Sequence, residues 1–296
     1  MLIFPALAAI IASVGWATGI VLAQTPARML GAFEFTRIQL IACGAILGVA
    51  CTVLGYWPTI SWDYAPAFAA STLFGIVLGN LAMIECLRRG GPRRTELLLS
   101  LKAPIVAIMA YFWLSEVPSA TDLIGGVISL AGVLLAIFFG GNPSSEGDNV
   151  RGSLWVVIGL GLIATSFQGF GFLVMKPAML AGTQPIAASA IRLLGAALVI
   201  SVMSLWPIAA FRPKTEMSPV LLGRTILPGF IGYGVSSTLL LYAFANFDAG
   251  IAAVLGSLSP VIILPILWFK DGKRPRLLAF VGALLAVVGT AIIVIL

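Results

Sequence analysis

Two stretches decide the reading of this chain: "FGIVLGNLAMIECLRRGGPRRTELLLSL", Phe74–Leu101, and "IGYGVSSTLLLYAFANFDAGIAAVLGSL", Ile231–Leu258. A shift of 157 residues lays one on the other without a gap. Gly75 meets Gly232, Leu98 meets Leu255, and Ser100-Leu101 meets Ser257-Leu258. The register continues: Pro118 meets Pro275, Gly125 meets Gly282, and Gly132 meets Gly289. Smaller shifts place Ala12 and Gly19 on Ala164 and Gly171, and Arg37 on Arg192. Leucines match by chance in apolar sequence, whereas glycines, prolines and arginines in register mark an internal repeat.

Both copies are far too apolar for water. The 296 residues are 60% hydrophobic and 9% charged, against about 25% charged in soluble domains. The expected solvent is a bilayer. Ten apolar segments of spanning length run over 3–23, 34–56, 64–87, 94–114, 121–140, 152–175, 185–208, 219–245, 250–270 and 276–296. None reads as a strand, and helices are the open-ended way to satisfy a backbone in lipid. No charged segment precedes the first run, so it is expected to be a span rather than a cleaved leader. The expected fold is an all-α integral membrane protein of ten helices in two five-helix repeats, 1–140 and 152–296, joined by a polar loop at 141–151. An odd number of spans per repeat inverts one half relative to the other, with a binding site expected near the midplane between them.

Composition also excludes chemistry. The chain has no histidine, the commonest metal ligand and catalytic base. It has no Walker A pattern. Cys43, Cys51 and Cys86 lie in apolar segments and read as packing residues. Neither paired carboxylates nor a nucleophile with its base is evident at midspan. No enzyme, cofactor or metal is therefore expected. The net charge of +6 sits in short connections rather than on a nucleic-acid face. One alternate set of connections carries Arg28, the four arginines of "RRGGPRR", Arg151, Arg212 with Lys214, and Lys270, Lys273, Arg274 and Arg276. The other set holds little beyond Lys176. Basic loops face the cytoplasm, which places both termini outside.

Within the spans, polar residues recur at equivalent depths. Lys102 stands about nine residues into its segment, and folding the hairpin about Gly91 brings Asn80 level with it. In the repeat, Asn80 maps to Ser237, Lys102 to Ser259 and Ser100 to Ser257; Trp16 and Gln168 correspond in the first span of each half. With Tyr233 and Arg192 these are the candidate cavity residues. Interhelical hydrogen bonding is the plainer role for any one of them, and an interface anchor is the plainer role for both arginines. Glu85, on one face with Arg88 and Arg89, and Glu96 are the candidate proton carriers. Pro104, Pro260 and Pro265 are hinge candidates. Gly125-Ser129-Gly132 and Gly282-Ala286-Gly289 form flat faces for packing between halves or between protomers.

The segments "LSLKAPIVAIMAYFWLSEVPSATDLIGGVISLAGVLLAI" and "SLSPVIILPILWFKDGKRPRLLAFVGALLAVVGTAIIV" resemble the EamA domain of the drug/metabolite transporter superfamily. The shared pattern is a proline in the fourth helix of each half, a short loop, then a glycine-spaced fifth helix. The chain departs from it with "FKDGKRP" where Gly-Glu is usual, with Lys102 at a commonly neutral position, and with its four-arginine loop. The resemblance implies a secondary transporter, often an exporter of amino acids, other metabolites or drugs, in a bacterial cytoplasmic membrane with both termini inside, opposite to the charge reading. Its expected partners are a small solute, with a proton as the candidate coupling ion, and the lipid bilayer. A monomer or homodimer and no nucleic acid are expected. Lipophilic-drug transport, lipid-linked headgroup transport and a non-transporting receptor or assembly subunit remain the alternatives.

Overall fold

A computed structural model describes residues 3–140, 152–208, 211, 215–256, 258–271 and 277–295. Among these residues the chain is helical and contains no strand. The first half runs α1 (Ile3–Leu30), α2 (Ala32–Val53), α3 (Ala65–Ala70) leading into a π-helical segment (Ser71–Leu78), α4 (Gly79–Ser100), α5 (Lys102–Leu114) and α6 (Ala120–Gly140). The second runs α7 (Leu154–Leu173), the short α8 (Lys176–Leu180), α9 (Pro185–Met203), α10 (Pro219–Gly229) leading into a π-helical segment (Phe230–Ser236), α11 (Ser237–Asn246), α12 (Ala249–Leu255), α13 (Ser259–Asp271) and α14 (Leu277–Ile295). Among the described residues seven helical stretches are long and apolar enough to cross a membrane, and Ala120–Gly132 and Leu277–Gly289 are shorter apolar helices. The first span is longer than its apolar run, because the helix continues through "QTPARML" to Leu30.

Burial is arranged for lipid. Leu7, Val49, Val53, Phe112, Leu198 and Leu284 are exposed on the outside, while Ser71, Thr165, Ser189, Arg192, Thr225 and Ser236 are buried within. Large contiguous apolar surface outside and hydrogen-bonding groups inside suit a hydrocarbon solvent.

The packing is reciprocal between halves. The π-helical segment of the first half lies on α7, and that of the second half lies on α1; α2 lies on α9, α5 on α12, and α6 on α14. Glycines permit the approach. A Cβ on Gly75 would sit 2.8 Å from the Gly171 Cα, and the Ser71 hydroxyl donates to the Gly171 carbonyl at 2.5 Å. In α6 and α14 the small-residue faces meet each other: a Cβ on Gly132 would lie 2.3 Å from the Ala286 nitrogen, and one on Gly289 2.3 Å from the Ser129 nitrogen. These seams join the halves.

The chain reverses between the third and fourth apolar segments at Gly91, whose φ of 77° favours glycine. The fourth segment is not one continuous helix. It breaks at Leu101, so Lys102 opens α5 rather than standing deep within a helix. The ninth segment breaks at the matching place, between Leu255 and Ser259. The breaks precede the prolines. Pro104 falls in the first turn of α5 and Pro260 is the second residue of α13, where a missing N–H costs little; Pro265 lies inside α13. Of the charged connections, residues 141–151, 212–214 and 272–276 lie outside the described residues, with Arg151, Arg212, Lys214, Lys273, Arg274 and Arg276.

Candidate functional site

The two π-helical segments and the two helix breaks surround a cavity of about 80 Å³. A water needs about 10–15 Å³ on this measure, so several waters or a small organic group fit. π-helical turns recur at functional sites because the widened backbone re-aims side chains. Here they set Ile76 and Tyr233, from opposite halves, on the wall.

Trp16, Asn80, Lys102, Gln168, Arg192, Tyr233, Ser237 and Ser259 all line this space, and so does Glu96. Ser100 is buried but is not on the wall. Ser257 lies outside the described residues. Glu85 is not on the wall either; its carboxylate is held by Arg88 and by Arg89 Nε at 2.6 Å. Arg37 is paired with Glu34 at 2.8 Å.

A polar chain crosses the cavity. Gln168 Nε2 donates to Asn80 Oδ1 at 2.8 Å, and Lys102 Nζ donates to Gln168 Oε1 at 3.2 Å. Asn80 and Lys102, placed level by the hairpin reading, share this one partner from the opposite half. Lys102 Nζ also sits 5.0 Å from the Trp16 ring centre and 5.9 Å from that of Phe172. On the other side of the break, Ser259 Oγ donates to Glu96 Oε2 at 2.6 Å, again between halves. Glu96 thus has a partner in the opposite half.

Among the wall residues that escaped the sequence reading, three make polar or cation contacts. Phe172 carries both cations, with the Arg192 guanidinium 5.3 Å from its ring centre. Gln39 donates to the Thr225 carbonyl at 2.9 Å, beneath Gly229. Met83 touches Gln168 Nε2 through its sulfur at 3.3 Å. Met83 and Phe172 lie one helical turn from Asn80 and Gln168, so spacing could have found them. Gln39 maps to no polar partner in the repeat and carried no such signal.

A bundle of apolar helices in two related halves, enclosing a charged and aromatic cavity, is the architecture of a membrane transporter. The comparisons agree. Residues 3–138 and 155–295 each match the EamA-like transporter family. The chain belongs to that family, whose members are membrane transporters of the drug/metabolite superfamily. A solved structure described only as "Crystal structure of protein" shares the fold at a TM-score of 0.75 and 15% identity, over 97% of this chain and 96% of its own. No curated protein matches the chain.

Proposed function

We propose that the protein is a ten-span secondary transporter that exports a small metabolite, with an amino acid as the first choice of solute. The seven long spans, together with α6, α12–α13 and α14, add up to ten. Five spans per repeat make the halves inverted, and the reciprocal packing fits that relation. The cavity between the halves carries the proposal, because its wall takes Asn80, Glu96 and Lys102 from one half and Gln168, Arg192 and Ser259 from the other. Bonds that cross between halves at the helix breaks are the ones that rocking of the halves remakes, so the breaks at Leu101 and before Ser259 are the proposed hinges. Export, and a cytoplasmic membrane of a bacterium, follow the family resemblance.

The test is counterflow of radiolabelled amino acids into proteoliposomes holding the purified chain. Saturable exchange of at least one amino acid, reduced by Gln168→Leu, is expected. Tracer entry equal to that of empty liposomes across the panel refutes the reading.

A further inference from the structure

We propose that Arg192 is the anion-binding residue of the cavity and that the transported solute is held through a carboxylate. This deepens the transporter reading and rests on it. Arg192 is 1% exposed, and its Nε and Nη1 have no hydrogen-bond partner among the described residues. A guanidinium remains charged at any relevant pH, and an uncompensated buried charge costs several kcal/mol. The carboxylates whose side chains are described are spent elsewhere or stand outside. Glu34 binds Arg37, Glu85 binds Arg88 and Arg89, and Glu116 binds Lys176. Glu96 takes Ser259 and Asp122 takes Ser119, while Asp63, Glu216 and Asp248 are exposed. The Phe172 face supplies a cation–π contact and offers no acceptor for the N–H groups.

The same wall holds a second unsatisfied donor, the buried hydroxyl of Tyr233. Lys102 Nζ meets an amide oxygen and two ring faces rather than a carboxylate. Two cations, Lys102 and Arg192, against one carboxylate, Glu96, leave the wall net positive, which favours an anion. A planar carboxylate also matches the donor fork of a single guanidinium. The Trp16 and Phe172 rings offer flat apolar faces to the rest of the solute.

The experiment uses the full chain in nanodiscs, with thermal melting and titration of amino acids, their carboxamides, benzoate and inorganic phosphate. Wild type and the variants Arg192→Met and Tyr233→Phe are compared. At least one carboxylate is expected to raise the melting temperature while its carboxamide does not. Arg192→Met is expected to weaken that carboxylate by about 30-fold or more, as loss of one partner of a buried charge pair does. Without solute, Arg192→Met is expected to melt at or above the wild-type temperature, because an uncompensated charge is removed. Four results of the melting and titration experiment overturn the proposal: a carboxamide that binds as well as its carboxylate, a preference for phosphate, carboxylate affinity unchanged in Arg192→Met, or an unliganded variant that melts several degrees lower. If counterflow moves a solute that lacks a carboxylate and Arg192→Met leaves it unchanged, transport stands and the carboxylate site falls. If no solute moves, the transport reading falls, and the melting comparisons still decide the site.

Discussion

Lys102 and Lys176 are equally hidden, each 7% exposed, and they are satisfied in opposite ways. Lys176 opens α8 and is held by the Glu116 carboxylate and by the Phe247 carbonyl at 2.9 Å, with Asp248 3.9 Å away. Glu116 in turn accepts the Ala249 N–H at 2.7 Å. This cluster ties three connections together: after α5, before α8 and before α12. Lys102, in the cavity, has one amide oxygen and two aromatic faces. The arginines related by the repeat divide in the same manner, with Arg37 paired and Arg192 unpaired. The teaching is that a buried cation with its own carboxylate belongs to the scaffold, while one without it is free to meet something else.

The sharpest way to break this contrast is Lys176→Ala. It strands the part-buried Glu116, and removing one partner of a buried pair costs up to about 3–5 kcal/mol. A large drop in melting temperature in detergent is expected. Lys102→Met, by contrast, removes a cation that makes no direct ion pair and feels Glu96 only across the cavity, and a melting temperature within a few degrees of wild type is expected. If both variants lose stability equally, the two lysines are the same kind of residue and the contrast fails.

The α6–α14 seam comes next. Gly132→Ala drives a methyl toward backbone atoms of Ala286, Gly282 and Leu285, which cannot yield as a flexible side chain would. Overpacking of this kind costs about 1–3 kcal/mol. Thermal melting checks it, and a wild-type melting curve would mean that the two helices separate freely. Gln168→Leu follows, since it deletes the bonds to Asn80 and Lys102. Interhelical bonds in membranes are worth about 0.6 kcal/mol on average and up to about 1.7, so about 1–2 kcal/mol is expected, together with the loss of exchange described above.

Much of this was legible in the sequence. The repeat at 157 residues carried the fold because Gly75, Gly132 and their partners are where helices touch, and contact restricts residue type on both copies alike. Depth matching set Asn80 level with Lys102, and the structure joins both to Gln168, because polar groups in lipid must meet one another. Three things were not legible. The π-helical segments depend on how "STLFGIVL" and "FIGYGVS" pack on α7 and α1, not on their composition. The break at Leu101 precedes Pro104 by almost a turn, so the proline marks the break without locating it. The Lys176 cluster joins residues 116, 176 and 248, a contact made by tertiary folding that no local spacing announces.

The smallest expected effect tests the arginine half of the comparison. Arg37 and Glu34 are three residues apart on α2, joined by two hydrogen bonds of 2.8 Å. The Arg37 side chain is 32% exposed and its charge is screened, whereas the Glu34 side chain is only 7% exposed; the test substitution, Arg37→Gln, keeps a hydrogen-bond donor for that carboxylate. With a donor kept, the loss stays near that of exposed pairs, about 0.2–1 kcal/mol. Arg37→Gln should therefore lower the melting temperature only slightly and leave solute affinity unchanged, while Arg192→Met at the equivalent place in the other half changes affinity and spares stability. Sequence symmetry makes the two positions equal; the Glu34 carboxylate makes them different. The double variant Glu34→Gln with Arg37→Gln sharpens this, since removing both partners should restore most of whatever the single change cost.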